Sequence, residues 1–248
     1  MARPLTIVTG ASRGLGLALC AQLLAAGHVV VAIARRPILL PEPSSADLLS
    51  WSLDLSAPLA AAARLEAWLN EQGGTPWTSA TLVNNAGVIS RLAPLSDVTG
   101  EDLSNALRVG LEAPVLMTSA FLRATADWTV PRKVLLVSSG LGRRAMAGSA
   151  SYCAAKAGMD HLARAVALEE AQRPNGARIV SLAPGVIDTD MQAQLRDAEP
   201  ALFPERERFA ALKAGGQLDS PDEAARKVLH VLALADFGRE PVDDVRSY

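Results

Sequence analysis

Along this chain, short and almost unbroken apolar runs alternate with longer stretches in which apolar positions recur every three to four residues. The runs 5–9, 29–34, 50–53, 80–84, 133–138 and 178–183 predict strands. Several lack the polar alternation that a strand with one wet face would show, so they read as buried on both sides. The stretches 15–26, 59–71, 101–125, 150–171 and 221–234 carry apolar residues at helical spacing. Repeated strand–helix alternation implies an α/β fold, a parallel sheet with helices on both faces. No linker, composition break or internal repeat divides the chain, so one domain over 1–248 is expected. Residues 37–45, Pro-Ile-Leu-Leu-Pro-Glu-Pro-Ser-Ser, read as a surface connection. Residues 189–220 are charged, hold Phe203 and Phe209, and follow neither period; they read as a mobile substrate flap.

Composition narrows the function classes. Half of the 248 residues are apolar and a fifth are charged, ample for a buried core and unlike a disordered chain. The formal charge is −2 with Lys and Arg dispersed, so no basic face points to nucleic acid. No apolar run approaches the length of a membrane span, and Met1-Ala2-Arg3-Pro4 leads straight into a strand pattern without a leader. Cys20 and Cys153 are far apart and lack metal-ligand spacing, so neither a disulfide nor a metal site is expected, and the cytoplasm is the expected compartment.

The first strand ends in Thr9-Gly10-Ala11-Ser12-Arg13-Gly14-Leu15-Gly16 and passes directly into a helix. Such a turn serves as an ordinary connection, but its place between strand and helix also suits a pyrophosphate. Glycines let the backbone approach the phosphates, and the helix N-terminus offers free N–H groups and a positive dipole end. The second strand ends in Ala34-Arg35-Arg36, where a carboxylate for a ribose 2′-hydroxyl would be expected in an NAD site. Guanidinium groups instead pair with a 2′-phosphate through forked, charge-assisted bonds, and Arg13 adds a third cation. NADPH/NADP+ is therefore expected, although Arg35 or Arg36 is equally compatible with solvated surface. Asp54, followed by Leu55 after the third strand, either accepts from an adenine amino group or caps the helix from residue 57 onward.

Tyr152 and Lys156 stand at i and i+4 of the 150–171 helix and project from one face. A Tyr hydroxyl titrates near 10 when unperturbed, and a nearby ammonium is expected to lower that value. Ser139 lies thirteen residues before Tyr152 at the end of a buried strand, where an open parallel sheet presents its ligands. The glycine turn at 9–16, Asn84-Asn85-Ala86-Gly87, Ser139, Tyr152-x-x-x-Lys156 and Pro184-Gly185 followed by Thr189 together resemble the short-chain dehydrogenase/reductase family. The five motifs are collinear and span nearly the whole chain. The resemblance implies a doubly wound, Rossmann-type sheet and hydride transfer to a small-molecule carbonyl. It assigns Tyr152 as proton donor, Ser139 as hydrogen-bond donor to the substrate oxygen, and Lys156 to the nicotinamide ribose and to Tyr152.

The same resemblance places the dinucleotide on Thr9, Gly10, Ser12, Arg13, Gly14, Leu15, Gly16, Asn85, Ala86 and Gly87. It adds Pro184, Gly185, Val186, Ile187 and Thr189 around the nicotinamide. One position departs from the family pattern: Gly110 stands where many members carry an Asn that holds a proton-relay water through its backbone carbonyl. Gly keeps the carbonyl but loosens a helix by about 1 kcal/mol relative to Ala. The Tyr152–Lys156 context, the run Asp188-Thr189-Asp190-Met191-Gln192 and the ending Val242-Asp243-Asp244-Val245-Arg246 resemble the sepiapterin reductase and bacterial benzil reductase branch. Asp244 is then a substrate anchor or a solvated acid near a disordered end. Leu141, Met146, Met191, Leu195, Phe203 and Phe209 line a pocket for a bulky, flat or diketone-like substrate, or pack the flap onto the body. Arg143 and Arg144 either steer an acidic substrate or are solvated.

Two other functions compete. One is an alcohol or hydroxysteroid-type dehydrogenase working in oxidation; the other is an NADPH-sensing regulator without catalysis, which intact Tyr152 and Lys156 disfavour and Gly110 alone supports. The resemblance also implies homodimers or homotetramers pairing through the 101–125 and 150–171 helices.

Overall fold

The computed structural model describes residues 2–38, 47–73 and 76–248. Of the expected surface connection at 37–45, only Pro37 and Ile38 are among them; 39–45 lie outside the described residues. Seven strands form one sheet: β1 (Arg3–Thr9), β2 (Val29–Ala34), β3 (Leu48–Ser52), β4 (Trp77–Asn84), β5 (Arg132–Val137), β6 (Arg178–Ala183) and β7 (Val242–Asp244). Their order is β3-β2-β1-β4-β5-β6-β7, and every neighbouring pair is parallel. The fold is the expected doubly wound α/β sheet of Rossmann type.

Period-two alternation sends side chains of each strand to two separate cores. Leu5 and Ile7 of β1, with Val29, Val31 and Ile33 of β2, face one side; Val8, Val30 and Ala32 face the other. Because both faces are covered, β2 reads Val-Val-Val-Ala-Ile-Ala with every residue buried. Helices α2 (Pro58–Glu71), α4 (Ala113–Ala124) and α5 (Ala150–Glu170) cover the first core through Leu65, Leu69, Met117, Phe121 and Met159. Helices α1 (Gly14–Ala25) and α8 (Pro221–Ala233) cover the second through Leu19, Leu23, Val228 and Val231. The start of α8 is fixed by a capping box, with Ser220 Oγ accepting from Glu223 N and the Glu223 carboxylate accepting from Ser220 N.

Three expectations need correction. The single helix expected over 101–125 is α3 (Gly100–Leu107), one π turn at Arg108–Glu112, and α4. Pro114, four residues past Gly110, has no N–H to give that carbonyl, so an α-helical ladder cannot run through. The 189–220 flap is not irregular: it holds α6 (Asp190–Asp197) and α7 (Arg206–Ala214). And the C-terminal segment is not disordered but adds β7 to the edge of the sheet, with Ala183 in register with Asp244.

The chain runs from β1 outward through β2 and β3, then returns to β4 on the other side of β1. The direction of winding therefore reverses between β1 and β4, which opens a crevice at the carboxyl ends of the strands.

Candidate active site

The crevice begins at the glycine turn between β1 and α1. Gly10 and Gly14 have φ of 68° and 52°, the left-handed region that favours glycine. A Cβ on Gly16 would lie 2.2 Å from Gly10 O, so backbone meets backbone there. The turn is stapled to β4: Asn85 Nδ2 donates to Thr9 O at 2.9 Å, and the amides of Asn85 and Ala86 both donate to Thr9 Oγ1 at 3.0 Å. This corrects one assignment. Thr9 is buried and spends its hydroxyl on that staple, so it shapes the cradle from behind rather than lining it.

From the turn, a cleft of about 1040 Å³ runs along the strand ends. It is lined by Gly10, Ser12, Arg13, Gly14, Leu15 and Gly16 at one end, then by Arg35, Arg36, Asp54 and Leu55. Asn85, Ala86 and Gly87 line its middle, with Pro184, Gly185, Val186, Ile187 and Thr189 opposite. Arg35 and Arg36 are exposed and form no ion pair among the described residues. Arg13 differs: its Nη1 is 2.7 Å from Asp190 Oδ2, linking the glycine turn to the first residue of α6. Asp54 Oδ1 accepts from Ser56 N at 2.9 Å, a bond that holds its carboxyl below the usual range, with the Arg35 charge helping. It does not cap α2, whose N-terminus has no side-chain cap. A close backbone turn without room for side chains, a helix N-terminus behind it and unpaired guanidinium groups at the β2 end fit a phosphorylated dinucleotide.

Where β5 ends, Ser139 and the turn Gly140–Gly142 meet the start of α5. Ser139, Tyr152 and Lys156 all line the cleft, so the three residues singled out from sequence are brought together. Lys156 is buried and donates to Val137 O at 2.6 Å; its Nζ is 5.5 Å from the Tyr152 ring centroid. Gly87 lies beside this ammonium, where a Cβ would be in ordinary van der Waals contact with Nζ at 3.8 Å. Burial pushes the Lys156 ammonium down to about 8, partly opposed by the Asp160 charge. The expected lowering of the Tyr152 hydroxyl is not found. Desolvation raises it to about 12, against the opposing hydrogen-bond influence of Ser139, because the ammonium bonds β5 and not the phenol oxygen.

Gly110 is buried in the π turn against α5, where a Cβ would sit 3.1 Å from Ala155 Cβ. The glycine thus fits a tight helix–helix approach as well as a missing Asn.

The cleft also has apolar wall residues, Leu141, Met146, Met191, Leu195 and Phe209, set among the charged Arg143, Arg144, Arg208, Asp244 and Arg246. Phe203 does not reach it. That ring is fully buried and stacks on Phe209 at 5.9 Å between centroids, so it supports the wall from behind. Asp244 lines the cleft, half-buried and paired: Arg246 Nε and Nη2 donate to its two oxygens at 2.8 and 2.5 Å. Arg143 is likewise engaged, and Arg144 Nη1 is 4.0 Å from Glu205 Oε2. Sequence reasoning missed Ile89, Val109, Arg208, Leu212 and Arg246, which also line the cleft. No spacing flags them, since they converge only through the sheet and the flap helices. No described helix is long and apolar enough to cross a membrane.

Comparison with known proteins agrees with this geometry. Residues 4–200 match the family model described as short chain dehydrogenase. The chain is 34% identical over 235 residues to a benzil reductase, (S)-benzoin forming, of Bacillus cereus, covering 93% of this chain and 94% of that one. It is 31% identical to the sepiapterin reductase of Meriones unguiculatus, covering 93% and 92%. A solved short-chain dehydrogenase/reductase from Burkholderia vietnamiensis shares 33% identity and superposes with a TM-score of 0.67, covering 99% of this chain and 100% of that one. A seven-stranded doubly wound sheet, a glycine cradle, and Ser139, Tyr152 and Lys156 at the strand ends thus coincide with a match over most of the sequence: the chain belongs to the short-chain dehydrogenase/reductase family of oxidoreductases.

Proposed function

We propose that the protein is an NADPH-dependent carbonyl reductase acting on a ketone or diketone, with Tyr152 as the proton donor. The observation that carries this reading is that Tyr152 lines the same cleft as the glycine cradle and the apolar side chains, with Ser139 and Lys156 beside it. When bound, the nicotinamide supplies the hydride that reduces the carbonyl carbon. Ser139 Oγ donates a hydrogen bond to the carbonyl oxygen and stabilises the charge that develops there. The Tyr152 hydroxyl gives that oxygen its proton; with burial holding it protonated to about 12, it is in the correct state to donate. The Lys156 ammonium holds the ribose hydroxyls and supports the phenolate left behind. Solvent then returns the proton to Tyr152.

Arg35 and Arg36 support NADPH over NADH, since a 2′-phosphate would find these two cations, unpaired among the described residues, and no carboxylate at the end of β2. Arg13, by contrast, is already held by Asp190. Asp54 remains the adenine acceptor. A neutral diketone, as in the benzil reductase relatives, suits the apolar walls better than a pterin. Asp244, the carboxylate that would anchor a polar head, is already held by Arg246. This reading includes a cytoplasmic homodimer or homotetramer formed through α4 and α5; both cysteines are free thiols, as a reducing compartment requires.

The test is a panel of benzil, a pterin, simple ketones and alcohols with NADPH and NADH. Benzil with NADPH is expected to be turned over fastest, and Tyr152→Phe to lower kcat by about 100-fold or more while leaving NADPH affinity unchanged. Faster oxidation of an alcohol, or a tenfold NADH preference (about 1.4 kcal/mol in the wrong direction), would overturn it.

A further inference from the structure

We propose that Arg143 and Asp160 form a positioning pair that locks the Ser139 turn, the Lys156 turn of α5 and the edge strand β7 into one rigid wall of the site. Asp160 is one helical turn beyond Lys156, so Tyr152, Lys156 and Asp160 share a face of α5. Its side chain is buried, and Oδ1 accepts from Ser138 Oγ and from Ser181 Oγ, both at 2.7 Å. One carboxylate oxygen therefore ties the ends of β5 and β6 to the helix that carries Tyr152 and Lys156.

The other oxygen, Oδ2, makes no hydrogen bond and faces Arg143 Nε at 3.2 Å. Arg143 follows directly on the turn Gly140–Gly142, four residues after Ser139. Its fork spans further: Nη2 donates to Asp243 O at 2.8 Å, and Nη1 is 3.9 Å from Asp244 Oδ2. A single planar guanidinium thus meets a buried carboxylate behind Lys156 and two groups of β7, a geometry that a lysine point charge cannot reproduce. Gly142 shows how closely the turn is pressed against the helix, since a Cβ there would be 2.8 Å from Asp160 Oδ2 and 2.9 Å from Lys156 O.

Only the Asp160 end of this pair is buried, and an ion pair of that kind seldom adds stability over apolar residues of the same shape, but it does fix relative position. Here the fixed elements are those that carry Ser139, Tyr152 and Lys156, together with the strand that closes the substrate end. The inference rests on those three residues being the reacting set, and it extends that reading to Asp160, which lies behind the cleft, and to Arg143, which lines it and holds its wall in place.

Arg143→Met alone leaves Asp160 buried without its cation and is expected to lower Tm. The double variant Arg143→Met with Asp160→Asn removes that charge, keeps an oxygen for Ser138 and Ser181, and is expected to recover Tm. Recovered stability should not recover function. The assay is run well below the Lys156 pKa of about 8, where Lys156 stays an ammonium even without the Asp160 charge. There the double variant is expected to keep kcat about 10- to 100-fold down, with the substrate KM raised and NADPH affinity unchanged. Arg143→Lys is expected to restore Tm but only part of kcat. Hydrogen exchange should quicken together at 140–144 and 242–246 in every Arg143 variant. Double-variant kinetics within twofold of the parent, or unchanged exchange in both segments, would overturn the proposal. Exchange is read without any substrate, so a failure of the carbonyl reductase reading would appear as an inactive parent and leave this measurement decisive.

Discussion

Lys156 carries a clear pH signature. Burial lowers its pKa to about 8, and Asp160 is the charge that opposes the shift. Below about 8 the side chain is an ammonium; as pH rises through that value the charge is lost, and with it the support for the Tyr152 phenolate. Tyr152 itself stays protonated to about 12, so it does not produce the break. The reduction rate is therefore expected to fall with a one-proton midpoint of about 8, measured as kcat/KM against pH at constant ionic strength. Lys156→Arg, slower at neutral pH, should stay flat to about pH 10, because a guanidinium keeps its charge. A parent profile flat across that range would remove Lys156 from the proton chemistry. Gly16 makes a second residue-level case. A Cβ there would be 2.2 Å from Gly10 O, a backbone atom fixed by the staple to β4, so the clash has no side chain to relieve it. Gly16→Ala is expected to weaken NADPH binding by at least tenfold in a fluorescence titration, and unchanged affinity would show that the cradle is looser than it looks.

The flap shows how elements of different strength combine at one site. Its helices α6 and α7 are short; Leu195 of α6, Phe209 of α7 and Phe203 from the turn between them join Leu92 and Met146 from the body in a cluster apart from the two main cores. Phe203 is the centre of that cluster without touching the cleft. Phe203→Ala is expected to cost about 3 kcal/mol, the low end for truncating a buried Phe, mostly as local opening of 190–214. Hydrogen exchange should quicken across both helices and the substrate KM should rise, with NADPH affinity held. Confinement of the change to kcat would instead put Phe203 near the reacting atoms. This small cluster also explains what sequence could and could not disclose. β2 and β6 were legible to the residue, because strands buried on both faces read as near-continuous apolar runs, complete in β2 and broken in β6 only by its leading Arg178 and by Ser181. The glycine turn, Ser139, Tyr152 and Lys156 were legible because their chemistry depends on residue type at fixed spacing. The flap helices were not, since their few apolar positions pack on loop residues far away in sequence. β7 was hidden for a similar reason: three residues, two of them acids, are a strand only because β6 offers a free edge. Arg143 and Asp160 meet through folding alone, and no local pattern announces their contact.

At the scale of the whole molecule, the two faces of the sheet are finished differently. On the face covered by α2, α4 and α5, helix α5 turns Met159, Ala163 and Val166 inward. Its outward side carries Ala154, Ala157, His161, Arg164, Ala165 and Leu168, all exposed, with Leu168 at 72%. One exposed Leu on a soluble protein is ordinary. Alanines on either side of His161 and a bare Leu at the end of a 21-residue helix leave room for a second helix to approach, and a two-fold axis would set this face against its own copy. The parent is therefore expected to measure by light scattering at two or four times the 26.0 kDa of one chain. Leu168→Glu would bring like charges together across that axis in a desolvated interface, so the mass should fall towards a single chain. Because α5 also carries Tyr152, Lys156 and Asp160, separation of the copies is expected to lower kcat several-fold although Leu168 is far from the cleft. A parent that is monomeric at tens of micromolar, or a Leu168→Glu variant of unchanged mass, would show that the outer face of α5 is plain solvent surface and that the site's rigidity comes from within one chain.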